Sequence, residues 1–330
     1  MRVALIGFGR IGAGYARDRR TARFFPIATH AQAVLATRGL QLAAVVDPDR
    51  SAQRAARLEW GVHDVAATLA ELKGHDAIDV LVLAGPPQSR ISALKHFPSL
   101  SAVVAEKPLG SNLKDARALV RQCDDRGLAL AVPFWRRFDA AMQRLEEGGL
   151  EQHLGRIRAA FAIYGGGLAN NGVHLVDLAR LLLGEWHTAR AVESTLAGSP
   201  AFELRCERAV LHAQPIDFAV SREIALDLWG DRGRVSILQE GLVVTRASRR
   251  PHRAITGPME IASDHPTRSA TRAGTALAAL YRNLVSHLRR GEPLRASGTE
   301  ALRAEAAVAA IMASQRSGGR AISRRSQGVR

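Results

Sequence analysis

Six residues near the N-terminus have the types and spacing needed to hold phosphates: Gly7-Phe8-Gly9-Arg10-Ile11-Gly12. They follow the apolar run Val3-Ala4-Leu5-Ile6 and open a segment of helical character. In that setting Gly7 permits a tight turn, Gly9 lets a pyrophosphate approach the backbone, and Gly12 lets a helix pack close to a strand. The helix N-terminus would then offer free N–H groups and a positive dipole end to the phosphates. Such a loop needs an acid at the end of the next strand. Asp47, after Val45-Val46, meets that need and would hydrogen-bond adenosine ribose hydroxyls. A 2′-phosphate would face the same carboxylate, so NAD is expected over NADP; Arg50 could swing towards a 2′-phosphate, which leaves NADP open. Asp47 lies 35 residues after Gly12, against about 20 in the usual fingerprint, and the extra residues are assigned to an arginine-rich loop over 17–26.

The elements that must carry this loop follow from periodicity. Strands are expected at Val3–Ile6, Gln41–Val46, Asp79–Ala84, Ala102–Ala105 and Leu128–Val132, with helices over Ser51–Trp60 and Leu113–Arg126. Short apolar runs separated by helices imply a doubly wound parallel sheet covered on both faces. After Asp139 the pattern changes to a strand over Arg156–Tyr164, a helix over Asn171–Leu183, and then successive strands. These are placed at Ala189–Leu196, Leu204–Ala213, Phe218–Leu228, Arg234–Gln239 and Leu242–Arg246, with a turn at Asp231-Arg232-Gly233. Helices over Thr275–Arg289 and Thr299–Ser314 close the chain; Arg250–Arg268 is expected to be a loop, and the basic tail after Gly318 to fray. The fold class is α/β: an N-terminal Rossmann domain over 1–133, then an α+β domain over 134–330 with a mostly antiparallel open sheet, for substrate binding and oligomerisation.

Composition narrows the function classes. The chain has 330 residues, 47% of them hydrophobic, and no apolar stretch near the roughly 18 residues of a membrane span. Its N-terminus runs straight into a strand, so no signal peptide is expected. Two distant cysteines, Cys123 and Cys206, suggest neither a disulfide framework nor a metal site and fit a reducing cytoplasm. The net charge is +15, yet the only lysines are Lys73, Lys95, Lys107 and Lys114, and the arginines are spread throughout without an aromatic-interleaved stripe. No nucleic-acid or membrane partner is therefore expected.

Five further stretches, in order, resemble the family of glucose–fructose oxidoreductase and inositol dehydrogenase. They are Val82-Leu83-Ala84-Gly85-Pro86-Pro87, Ala105-Glu106-Lys107-Pro108, Arg136-Arg137-Phe138-Asp139, Gly172-Val173-His174-Leu175-Val176-Asp177, and Ser297-Gly298-Thr299-Glu300-Ala301 with Ala310-Ile311-Met312-Ala313-Ser314. In the first, Gly85 stands where the family has threonine. The glycine loop is also similar to that of glyceraldehyde-3-phosphate dehydrogenases, but the Ser-Cys-Thr-Thr-Asn setting of their nucleophile is missing.

The resemblance implies an NAD(P)-dependent dehydrogenase or reductase moving a hydride between nicotinamide and a hydroxyl or keto carbon of a sugar, nucleotide sugar or cyclitol. Ala84, Pro86, Glu106 and Lys107 would lie by the cofactor. Lys107 and His174 would stand at the reacting centre, with Asp177 near a substrate hydroxyl. Asn170 occupies a position where many relatives have an aspartate, and an amide cannot accept a proton. Trp135, Arg137, Tyr164 and Asn171 are candidate substrate residues, Arg137 for a carboxylate or phosphate. Tyr164 is followed by Gly165-Gly166-Gly167, which would let substrate approach the backbone. The family also implies a homodimer or homotetramer built on the open face of the second sheet. It leaves two alternatives, an NAD-dependent glycosidase and a non-catalytic dinucleotide-binding regulator.

Overall fold

The computed structural model describes residues 1–193, 196 and 198–328. Its first sheet comprises β1 (Arg2–Ile6), β2 (Gln41–Val46), β3 (Asp64–Ala66), β4 (Val80–Leu83), β5 (Ala102–Ala105) and β6 (Ala129–Ala131). All pairings are parallel and the order is β3-β2-β1-β4-β5-β6. Every residue of β4 and β5 is buried, as continuous apolar runs require when both sheet faces are covered. The order reverses between β1 and β4, and their carboxyl ends flank the switch-point crevice where this kind of sheet binds ligands.

The helix expected after Gly12 is present but spliced. His30 N–H donates to Ile11 O at 3.0 Å and Ala31 N–H to Gly12 O at 2.9 Å. An uninterrupted helix closes those bonds from donors four residues on. Here the donor for Ile11 comes 19 residues on, so 15 residues are inserted; removing them from the 35 between Gly12 and Asp47 leaves 20, the usual separation. The inserted chain is partly helical where a loop was expected. Asp18 caps a helix over Arg19–Phe24 by accepting from the N–H groups of Arg20 and Thr21. The main helix resumes as His30–Leu35 behind a Thr29 cap.

The second sheet comprises β7 (Ile157–Gly165), β8 (Trp186–Val192), β9 (Ala201–Cys206), β10 (Val210–Ile216), β11 (Ala225–Gly230), β12 (Gly233–Leu238), β13 (Val243–Pro251), β14 (Met259–Ile261), β15 (Thr267–Ser269) and β16 (Ile322–Ser323). Its order among the described residues is β14-β13-β12-β11-β7-β10-β9-β8-β16, with β15 on β13, and every pairing except β7 with β10 is antiparallel. On β7, Ala160, Ala162 and Tyr164 are buried while Phe161 and Ile163 are exposed, the alternation of a sheet with one open face.

Four expectations for this region are corrected. The run Leu204–Ala213 is the hairpin β9–β10, turning at Glu207-Arg208, where Cys206 N–H meets Ala209 O. Residues 217–224 are not strand, because the Asp217 carboxylate accepts the Ala219 N–H and turns the chain. The segment Arg250–Arg268 contains β14 and β15, held by Arg250 ion pairs to Glu260 and Asp264. The tail does not simply fray, since β16 pairs with β8 and Arg324 reaches Glu185 at 3.1 Å. The strand expected at Ala189–Leu196 is observed as β8; its Ser194 and Thr195 lie outside the described residues.

The chain forms two compact units, residues 1–138 with 273–302, and 139–272 with 303 onward. This differs from a linear boundary at 133/134. Residues 273–302 join the first unit because Val132 N–H bonds Ala296 O at 2.9 Å and the helix Ala276–Arg290 packs on His30–Leu35. No helix among the described residues is long and apolar enough to cross a membrane.

Candidate active site

The glycine loop leaves β1 under tight constraint. Gly7 has φ +91°, and a Cβ there would stand 2.6 Å from Gly85 N. A Cβ on Gly12 would stand 2.3 Å from Gly7 O. Around Gly9 the situation is the opposite, with nothing within 4 Å of a Cβ position. The N–H groups of Gly9, Arg10, Ile11 and Gly12 meet no protein acceptor among the described residues. Open space beside a run of unpaired amides suits phosphate oxygens, so these residues fit a dinucleotide.

Asp47 ends β2 and is buried. Its Oδ2 accepts the Phe8 N–H at 2.6 Å and its Oδ1 the Asp49 N–H at 2.8 Å, which ties the glycine loop to the second strand. Each oxygen keeps a lone pair that a ribose hydroxyl could use. Phe8 turns into the core, edge-on to Trp60 at 6.0 Å. Arg10 is exposed, 5.9 Å from the Tyr15 ring centre, and Arg50 is the exposed first residue of the helix Arg50–Leu58.

The turn carrying Ala84, Gly85 and Pro86 follows β4, and Glu106-Lys107-Pro108 follows β5. A buried guanidinium joins them: Arg90 donates to the carbonyls of Gly85, at 3.2 Å, Glu106 and Pro108. The Lys107–Pro108 peptide is cis. Glu106 Oε1 lies 3.2 Å from His30 Nε2, and His30 Nδ1 lies 2.7 Å from the Tyr281 hydroxyl. Burial favours the neutral acid at Glu106. The hydrogen bond from His30, with the charges of Lys107 and Arg90, outweighs it and holds the carboxyl below the usual range. Arg90, His30 and Tyr281 were missed at the level of sequence. With the insertion removed, His30 falls in the first turn of the helix after the glycine loop, a signal that spacing alone could have supplied; Arg90 had none in a chain so rich in arginine.

The other candidates divide. Trp135 lies under the Arg136 guanidinium at 4.4 Å, with Phe25 against its edge. Arg137 pairs with Glu300 at 3.1 Å and donates to Arg295 O, so a substrate anion there would compete with Glu300. In the second unit, Asn170 and Asn171 sit in a wide turn, Leu168–Gly172, before the helix Val173–Leu183; such π-type turns recur at functional sites. Asn170 is exposed, and His174 and Leu181 are the only members of that helix not fully buried.

Tyr164 and Asp177 lie in the core, which corrects the expectation that they face substrate. Tyr164 is fully buried, donates its hydroxyl to Pro200 O at 2.5 Å and packs on Phe202, because strand alternation turns it inward. Burial also pushes its phenol far above the ordinary range. Asp177 is 2% exposed and pairs with Arg180 one turn on, at 3.7 Å. The Phe218 ring fills the space over Gly165 and Gly166, and Asn171 lies against Gly166. Both cysteines are buried, which pushes their thiols up to about 12 and leaves no thiolate nucleophile near neutral pH.

Residues 1–134 match the Gfo/Idh/MocA oxidoreductase family, NAD-binding Rossmann fold. The N-terminal 134 residues carry that family's Rossmann module. The chain is an NAD-binding oxidoreductase. Over 312 residues it is 26% identical to D-apiose dehydrogenase of Paraburkholderia graminis, covering 85% of this chain and 82% of that relative. Over 84 residues it is 33% identical to trans-1,2-dihydrobenzene-1,2-diol dehydrogenase of Sus scrofa, 26% of this chain and 25% of the other. In fold it matches an oxidoreductase from Agrobacterium radiobacter, solved with NAD+, L-tartaric acid and magnesium, with a TM-score of 0.74 at 18% identity over 99% of both chains.

Proposed function

We propose that this oxidoreductase interconverts a secondary hydroxyl and a ketone on a sugar or related polyol, using NAD in preference to NADP. The observation that carries the reading is the loop of unpaired amides at the switch point, with Lys107 at the carboxyl end of β5, two strands from β1. A similarity to D-apiose dehydrogenase along most of the chain supports a sugar as substrate.

The nicotinamide, when bound, supplies a hydride acceptor for the carbinol carbon. The chain's own residues must then take the hydroxyl proton and steady the charge on oxygen. We assign these tasks to Lys107, which carries the only ammonium in its motif, and to His174, which keeps a partly open imidazole on a helix otherwise sunk in the core. Asn170 can orient a hydroxyl or water but cannot accept the proton. The Asp47 carboxylate would repel a 2′-phosphate, while exposed Arg50 is the residue that would favour one. A homodimer or homotetramer through the face bearing Phe161, Ile163 and Val192, and a cytoplasmic location, belong to the same proposal.

The test is calorimetric titration with NADH and NADPH, followed by a turnover screen of aldoses, D-apiose among them, and cyclitols with the tighter cofactor. Net NADH formation with one of these substrates is expected. Tight NADH binding without turnover of any polyol would overturn the assignment of substrate class, and tighter binding of NADPH would overturn the preference drawn from Asp47.

A further inference from the structure

The most enclosed set of ionisable groups in the first unit has no part in the chemistry described so far. Glu106, His30 and Tyr281 form a chain of hydrogen bonds, 3.2 Å and 2.7 Å long, across three distant stretches of sequence. His30 and Tyr281 are fully buried, and the Glu106 side chain keeps 13% of its surface. We propose that His30, oriented by Tyr281, is a positioning residue that holds the Glu106 carboxylate in place beside Lys107.

The hydrogen-bond arithmetic favours one arrangement. A carboxylate can only accept, so His30 Nε2 must carry the proton shared with Glu106. Nδ1 of a neutral imidazole is then an acceptor, and the buried Tyr281 hydroxyl, which has no other partner among the described residues, donates to it. All three groups are satisfied with His30 neutral. Glu106 Oε2 has no protein partner among the described residues, so one oxygen is anchored and the other remains available.

The neighbours agree with an ionised Glu106. The hydrogen bond from His30 and the charges of Lys107 and Arg90 all favour the anion; on the far side of His30, the Tyr281 phenol is raised well above its ordinary range and stays neutral. The splice in the first helix serves this geometry. The bonds from His30 and Ala31 back to Ile11 and Gly12 return the imidazole to the first turn despite the insertion. The consequence for turnover rests on Lys107 being the proton-handling residue, but the test does not.

The test compares His30→Gln with His30→Leu in the cofactor-free protein. Neither variant has an imidazole, so titration of His30 itself drops out. Glutamine can donate to Glu106 and accept from Tyr281; leucine can do neither. Without a donor, the buried Glu106 should have its pKa raised above the unfolded value, so its folded anion becomes a cost that grows as pH rises through that pKa. The Tm of His30→Leu should therefore fall below that of His30→Gln by a margin that widens between pH 5 and pH 8, by about 3 °C or more if one charge-assisted hydrogen bond is lost. A gap that stays constant with pH would mean His30 only fills space, and would overturn the proposal. If His30→Leu does not fold, wild type is compared with Glu106→Gln. The wild-type advantage should be present at pH 7 and vanish as pH falls through the lowered Glu106 pKa; an advantage unchanged down to pH 3.5 overturns the proposal equally. Because no cofactor or substrate enters either comparison, failure here is separate from failure of the proposed reaction.

Discussion

Gly9→Ala separates the phosphate-binding reading of the loop from a purely structural one. Nothing lies within 4 Å of the position a Cβ would take, and Gly9 has no positive φ, so the methyl group meets no protein atom. Folding should be unaffected or slightly favoured, by about 0.4–1 kcal/mol, because the unfolded chain loses freedom. For a chain of this size that is at most a rise of about 2–4 °C in Tm. The same methyl occupies the space beside the amides of Arg10, Ile11 and Gly12 that a pyrophosphate would use. Displacing the phosphate from one or two of those donors should cost about 1.5–3 kcal/mol, or roughly 10- to 150-fold in the dissociation constant for NADH. Gly12→Ala is the contrasting case. Its Cβ would stand 2.3 Å from Gly7 O, a backbone atom that cannot move without moving the loop, so a loss of about 2 kcal/mol or more in stability is expected alongside weaker binding. Calorimetry with NADH and a thermal melt on both variants decide the matter. Wild-type affinity in a stable Gly9→Ala protein would refute the placement of the pyrophosphate beside Gly9.

Four further outcomes follow from the site and its supports. His174→Ala should abolish turnover and leave NADH binding within about twofold of wild type; near-normal turnover would remove His174 from the mechanism. Arg90→Met strips the donor from the carbonyls of Gly85, Glu106 and Pro108, and at about 1–3 kcal/mol for each buried acceptor left unpaired it should lower stability by roughly 3 kcal/mol or more in a denaturant titration. Tyr164→Phe should cost about 1 kcal/mol through Pro200 O and leave KM unchanged, since the ring is core; a large rise in KM would return Tyr164 to the substrate site. At Glu185, burial raises the carboxyl pKa, but the Arg180 hydrogen bond and the charges of Arg180, Arg303 and Arg324 bring it below 4.5. Its stabilisation is therefore complete well above pH 4.5 and lost as pH falls through the lower folded value. The Tm of Glu185→Gln should lie below wild type at pH 7, by the equivalent of about 2 kcal/mol, and approach it below pH 4.

Elements whose information is local are legible in the amino-acid sequence alone. Val80–Leu83 and Ala102–Ala105 are apolar without a break, which already means strands buried on both faces, and Gly7 and Gly12 already mean a turn pressed against its neighbours. The motifs around Lys107 and His174 led to the family for the same reason, since each is a short contiguous string. Strand alternation by itself turns Tyr164 inward, whatever the glycines that follow it suggest about substrate access. Which distant groups find one another is settled by packing. No periodicity brings Tyr281 to His30 across 251 residues, returns residues 273–302 to the first unit, or makes His30 the continuation of a helix begun at Gly12. Those pairings come from the cost of leaving a buried imidazole, phenol or carboxylate without a partner, and that cost exists only once the chain has packed.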